Sequence, residues 1–287
     1  MPKVAYICFN GEFKRSTEPS LFTNNRAFRF GDAVFENIHA YATEPQFLNY
    51  HLERLLDGMR ILLMEIPAFF TAENFQNLIT QLLNRNRIFG GALIRLTVFR
   101  DGGESYAPVD NRVSFILESQ KLERNFYELN EKGLVIDLCT DLSKPAIPLS
   151  SVKNSSALLF VLASLYNRKR NLDDSILLNE DGRIAESVNS NVFLVSGSSI
   201  FTPGLNQWCL PGVMRRVIIT IGFESGYKVN DQCSLTPAAL DDADEIFLTN
   251  VTEGIRWVGA YRQRRYYKKT AQFLIRKLNE VAFNKRI

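Results

Sequence analysis

Histidine is scarce in this chain: only His39 and His51 among 287 residues. With so few imidazoles and no cysteines at paired ligand spacing, a zinc centre is disfavoured, and no metal site is expected. Cys8, Cys139, Cys209 and Cys233 are scattered, and read as reduced core or surface thiols of a cytoplasmic protein. Charge of one sign is lacking too. Lys and Arg number 34 against 31 Asp and Glu, a net +3, and the basic residues are dispersed until the tail, so nucleic acid is not an expected partner. No apolar run approaches the ~20 residues of a membrane span. The N-terminus has no basic segment leading into a long apolar run, so no secretory leader is expected. Internal repeats and low-complexity tracts are absent. What is present is an ordinary globular composition, 46% hydrophobic and 23% charged, with chain enough for one large or two medium domains.

The pattern divides the chain. Residues 4–14 alternate around Asn10-Gly11, a hairpin signal. Residues 24–32 read as a polar, arginine-bearing loop and 33–41 as a strand. Leu52, Leu55, Leu56, Met59, Leu62 and Leu63 share a helical face, as do Phe75, Leu78, Ile79, Leu82 and Leu83 over residues 71–87, where Thr71 could cap. Strands follow at 92–99 and 113–118, joined by a glycine-bearing loop at 100–106 that either borders a substrate pocket or is only a connection. The polar stretch 120–131 is the candidate linker, giving a smaller α+β domain over 1–119 and a larger one over 132–287. In the second domain, strands are expected at 134–140, 174–179, 184–195, 199–202 and 245–249, with helices near 156–169, 213–225 and 270–283. The last helix is flanked by Lys268, Lys269, Arg276, Lys285 and Arg286, which read as a solvated face.

The chemistry concentrates between Lys153 and Val195. Lys153 precedes an apolar helix bearing Leu158, Leu159, Leu162, Leu165 and Tyr166, with Ser155 and Ser156 as caps, while Glu186 falls on a sheet after the turn Glu180-Asp181-Gly182. A partly desolvated lysine amine can attack carbonyls to form a Schiff base. A fixed acid can hold a pyridine nitrogen protonated, as an electron-sink cofactor requires. The plainer alternative is a surface lysine beside a polar hairpin.

The series Arg29-Phe30-Gly31-Asp32-Ala33-Val34-Phe35-Glu36, His51-Leu52-Glu53-Arg54-Leu55, Lys153, Glu186-Ser187-Val188-Asn189-Ser190-Asn191-Val192-Phe193, Leu210-Pro211-Gly212-Val213-Met214-Arg215 and Ala243-Asp244-Glu245-Ile246-Phe247-Leu248-Thr249-Asn250 resembles, in order and spacing, the motifs of the class IV pyridoxal-phosphate enzymes. That family includes branched-chain and D-amino-acid aminotransferases and aminodeoxychorismate lyase. The resemblance implies the two-domain α+β fold of the D-amino-acid aminotransferases, with pyridoxal 5'-phosphate in a cleft between the domains, and a homodimer in which loops near 24–29 and 100–106 meet the partner. It implies that Lys153 holds the cofactor as a Schiff base and moves the proton, and that Glu186 pairs with the pyridine nitrogen. The phosphate is expected at Gly212, Val213 and Met214 on a helix N-terminus, with Arg54, Asn250 and Val251 completing the cup. Without the resemblance, Arg54 reads as a helix-surface arginine near Asp57. Phe35, His39, Arg95 and Arg100 are the substrate-side candidates.

Several positions depart from the family pattern. Met214 and Val251 stand where many of its aminotransferases carry threonine, and Gly-Val-Met-Arg with Asn250 lies closer to the lyase branch. Glu104 is an acid where that branch tends to have arginine; His39 replaces the arginine of the branched-chain pattern; Ser155-Ser156-Ala157 follow the lysine where asparagine and then tyrosine or leucine are usual. The expected activity is amino-group transfer between a small amino acid, branched-chain ones included, and a 2-oxo acid. The alternatives are the lyase, releasing pyruvate to give 4-aminobenzoate, and a non-catalytic binding protein on the same fold.

Overall fold

The computed structural model describes residues 5–18, 21–103 and 105–283. Val4, Glu104, Lys285 and Arg286, used in the sequence reading, lie outside them. Contacts divide the chain into two units, one ending at Phe126 but also holding Val152–Ser156, the other holding Tyr127–Ser151 and the chain from Ala157.

The first unit contains β1 (Tyr6–Phe9), β2 (Glu12–Arg15), α1 (Arg26–Phe30), β3 (Ala33–Tyr41), β4 (Glu44–Pro45), α2 (Leu48–Ile61), α3 (Ala72–Asn86), β5 (Ala92–Arg100) and β6 (Val113–Lys121). Its sheet runs β2-β1-β6-β5-β3-β4, antiparallel throughout. Asn10 and Gly11 turn the first hairpin with φ of 49° and 90°, the double positive φ that a type I′ turn demands. Because side chains alternate along a strand, one sheet face sends Val34, Ile38, Ile94, Leu96, Val98, Phe115 and Leu117 into a core closed by Leu52, Leu55 and Met59 of α2 and Phe75, Ile79 and Leu82 of α3. Thr71 Oγ1 accepts the Asn74 N–H at 3.3 Å, capping α3 as the sequence predicts. Leu63 leaves the expected stripe: α2 stops at Ile61, and Leu63, at φ 56°, turns out to solvent. The polar segment read as a loop holds the short helix α1, started by Asn25, whose side chain accepts from Phe28 N–H, and ended by Gly31 at φ 69°.

The second unit contains β7 (Leu134–Lys144), α4 (Leu158–Arg170), β8 (Asp174–Asn179), β9 (Ile184–Ser187), β10 (Asn191–Ser196), β11 (Ser199–Pro203), α5 (Val213–Glu224), β12 (Lys228–Cys233), α6 (Ala238–Asp242), β13 (Glu245–Asn250), β14 (Gly254–Tyr261), β15 (Arg264–Arg265) and α7 (Lys269–Phe283). The sheet order is β12-β11-β10-β13-β14-β7-β8-β9, with β15 paired to β14. Ile136, Ile176, Val192, Leu194, Ile246, Leu248 and Val258 form its core. Phe193 and Phe247 stack with centroids 5.0 Å apart.

Three local expectations change here. The strand expected over 184–195 is two strands, because Ser187 N–H donates to Ser190 C=O at 2.8 Å and Asp174 accepts from Ser187 Oγ and Val188 N–H. The leucines of α4 are not core: Leu158, Val161, Leu162 and Leu165 are between 51% and 73% exposed, and the helix buries Ala163 and Tyr166 instead. Its N-cap is Ala157, with no side-chain cap from Ser155 or Ser156. Among the described residues no helix is long and apolar enough to cross a membrane.

Candidate active site

Lys153 lies on a short extended segment laid along the edge of β3. Phe35 N–H donates to Lys153 C=O and Ser155 N–H to Ala33 C=O, both at 2.9 Å, and Asn154 bridges to Val34. Val152 enters the first unit's core. These bonds explain why Val152–Ser156 groups with the first unit, where the sequence division assigns Lys153 to 132–287. The antiparallel register puts Lys153 on the sheet face opposite the core, with its Nζ 4.4 Å from the centroid of Phe35.

That face carries Phe35, Asn37 and His39 of β3, with Arg95 opposite Asn37 and Glu118 opposite Arg95. Arg95 lies over the same Phe35 ring at 3.9 Å, so one aromatic ring serves two cations. Burial lowers the Arg95 pKa, with the charge of Glu118 opposing. His39 is buried, and desolvation pulls its pKa down to about 4, leaving a neutral imidazole.

Arg100 does not join this group. It points to the core face, where Nε donates to Asp32 Oδ2 at 3.0 Å, Nη2 to Leu62 C=O at 2.5 Å and Nη1 to Leu63 C=O and Asn111 Oδ1. With four donor contacts in protein it closes the end of α2, a structural role. Arg26, also buried, binds Asp32 and the carbonyls of Gly103, Ser105 and Tyr106, fixing the 100–106 loop.

Arg54 is neither a surface arginine nor the partner of Asp57, which pairs with Arg60. Its Nε and Nη2 grip Glu36 Oε1 and Oε2 at 2.7 and 2.5 Å, and His51 Nδ1 meets Oε2 at 2.7 Å. Burial alone would raise the Glu36 pKa; the Arg54 charge and the His51 hydrogen bond reverse that and hold it at about 2. Burial also depresses His51, with Arg54 and Lys153 adding to the effect against Glu36. We therefore take His51 as the neutral tautomer that donates Nδ1–H, since an ionised carboxylate can only accept. Glu36 and His51 lie inside motifs quoted from the sequence, which assigns them no role. Their spacing on separate elements carries no signal for the contact.

In the second unit Glu186 is 4% exposed. Its Oε2 accepts Leu210 N–H at 2.8 Å, and its Oε1 forms an ion pair with Lys144 Nζ at the end of β7. Nothing in the sequence marks Lys144: it is 42 residues from its partner, and a lone lysine before Pro145 reads as solvated. Leu210 leads into the start of α5, where no side chain caps Gly212. A Cβ at Gly212 would collide with Asn191 Oδ1, whose amide in turn donates to Leu210 C=O at 2.8 Å, so only glycine fits. Val213 and Met214, the first residues of α5, bury their side chains and leave backbone at that end. Asn250 shapes a turn: Oδ1 accepts Thr252 and Glu253 N–H at 3.0 and 2.9 Å, and Nδ2 donates to Ser190 Oγ at 3.0 Å. Val251 C=O accepts from Tyr127 Oη at 3.2 Å.

The model of the family described as Amino-transferase class IV matches residues 33–261. Methanocaldococcus jannaschii has a "Putative branched-chain-amino-acid aminotransferase" 29% identical over 262 residues, 87% of this chain and 85% of that protein. The solved T.th. branched-chain amino acid aminotransferase with pyridoxamine 5'-phosphate superposes with a TM-score of 0.87 at 25% identity, covering 99% of this chain and 96% of that one. A "Putative 4-amino-4-deoxychorismate lyase" from Legionella pneumophila shares the fold at a TM-score of 0.83 and 23% identity, over 93% and 97% of the two chains. The α+β fold implied by the motifs is thus the fold found. With a family match that begins at β3 and ends with β14, and takes in Lys153 and Glu186, the chain belongs to the class IV aminotransferases.

Proposed function

We propose that the protein is a pyridoxal-phosphate-dependent aminotransferase moving an amino group between a small, branched-chain amino acid and a 2-oxo acid. The observation that carries this reading is Lys153: its backbone is bonded to β3 and its amine lies over the Phe35 ring. The donor set suits the cofactor. Glu186 offers a buried carboxylate, and α5 begins without a side-chain cap at a glycine whose missing Cβ gives close backbone approach. Bound there, pyridoxal phosphate supplies a ring that accepts the electrons left when a substrate Cα–H bond breaks.

The chain's own residues do the rest. Lys153 gives the amine that holds the cofactor and, at Nζ, takes and returns the Cα proton. Glu186 presents its carboxylate to the ring nitrogen. For the phosphate we propose the backbone N–H groups of Val213 and Met214 and the Asn250–Val251 turn beside Ser190, and, from the first unit, the Arg54 cation fixed by Glu36. Phe35 and neutral His39 give an apolar side, and Arg95 the cation for a substrate carboxylate. We further propose a cytoplasmic homodimer, supported by the exposed leucine face of α4, which a second copy of this chain would cover.

Borohydride reduction of the protein loaded with pyridoxal phosphate, followed by peptide mapping, is expected to label Lys153. An unlabelled Lys153 overturns the reading. In single turnover, leucine, isoleucine or valine should convert the bound cofactor to its amine form. Release of pyruvate from aminodeoxychorismate with no such conversion would replace the aminotransferase with the lyase.

A further inference from the structure

Lys144 is given no role in the proposed function, yet it is among the largest fully buried side chains, 2% exposed, and its ammonium meets Glu186. A lysine is rarely taken out of water unless its charge is compensated. Here Glu186 compensates it, and the Phe160 ring lies 5.4 Å from Nζ. The relation is mutual, because Glu186 has only Lys144 and the Leu210 N–H as hydrogen-bond donors among the described residues.

We infer that Lys144 is a positioning residue, the resident counter-ion that pairs with Glu186 and holds it oriented before the cofactor arrives and then shares it with the ring nitrogen. This rests on the reading that Glu186 faces that nitrogen. Two cations on one carboxylate divide its field, so Lys144 also moderates how strongly Glu186 holds the ring proton. The Cys209 thiol feels the charges of both Glu186 and Lys144, and that of Arg215 as well. Arg215 donates to Pro203 and Asp231 carbonyls, and the Cys209 thiol, pushed up to about 11 by burial and by Glu186, stays neutral, so neither substitutes for the lysine.

The test compares Lys144→Met with the native chain, each stripped of cofactor, by thermal melting from pH 5 to 9. Lys144→Met removes the charge but keeps most of the stem, and is expected to lower the apo melting temperature by about 10 °C at pH 8. Pyridoxal 5'-phosphate should raise the melting temperature of Lys144→Met more than that of the native protein, since the ring nitrogen supplies the missing cation. Lys144→Met/Glu186→Gln, with neither charge, should melt well above Lys144→Met, which keeps the idea testable if the single variant folds poorly. An apo Lys144→Met that melts like the native chain at every pH, or a double variant no better than the single, overturns the inference and leaves Lys144 a packing stem. A failure of borohydride to label Lys153 would instead sink the functional reading, while the apo melts would still report on the ion pair.

Discussion

Glu36 and Glu186 are both buried carboxylates, one in each unit, and they are neutralised differently. Glu36 is gripped by both tines of the Arg54 fork and by a neutral histidine. Among the described residues, Glu186 meets the point charge of Lys144 and one backbone N–H, that of Leu210. A bidentate guanidinium fixes both position and angle, whereas an ammonium on a flexible stem fixes charge with less directional demand. Burial alone therefore does not separate an acid that anchors its neighbours from one free to take a further partner. The closed set around Glu36 suits an anchor for Arg54, and the looser set around Glu186 suits a carboxylate that must also accept a ligand.

The comparison can be broken most sharply at Glu186. Glu186→Ala should cut turnover by about 10³-fold, the size typical of a preorganised electrostatic group, and steady-state kinetics at saturating cofactor would expose a smaller effect. Glu36→Gln should act mainly on stability, by about 3–5 kcal/mol, because it strands the buried Arg54 charge; urea melts of the apo chain would reveal it. Equal stability losses with equal rate losses at the two positions would erase the distinction.

Acid sharpens it further. Glu36 has a folded pKa near 2 against 4.5, so its contribution is whole above pH 4.5 and is lost as pH falls from there through about 2. His39 runs in a separate window. Its folded pKa of about 4 lies below the ordinary 6.5, so the unfolded chain binds the proton first, and stability falls as pH drops from 6.5 to about 4. The His39 term is about 2–3 kcal/mol, and His39→Gln should flatten stability between pH 6.5 and 4 while keeping the Glu36 loss below it. The smallest change is a control in the first unit: Thr71→Ala, which removes the α3 cap, should cost about 1 kcal/mol with turnover unchanged.

Much of the fold was legible. The strands at 33–41 and 174–179 and the helix from Thr71 have the bounds that alternation and capping predict, because each is one-sided or punctuated by turn residues. Harder cases share a cause. The polar β12 and the Gly- and Arg-interrupted β14 lack clean alternation; β12 pairs with β11 across the intervening α5, and β14 is held between its neighbour β13 and the distant β7. The α4 leucines predict a correct helix and a wrong face, since periodicity reports an apolar stripe without saying what covers it. In the proposed site, Lys153, Glu186 and Gly212 come from the motif series, whereas Arg100, a substrate-side candidate, lies on the core face and Lys144 goes unmarked.

From sequence alone came the elements, the family resemblance and the lysine proposed to hold the cofactor, because backbone geometry and local patterning are written in neighbouring residues. Which charges meet was decided only in three dimensions. Glu36 with Arg54, Glu186 with Lys144, and Lys153 against β3 are contacts between separate elements, and burial gives each its weight by removing the water that would otherwise screen it.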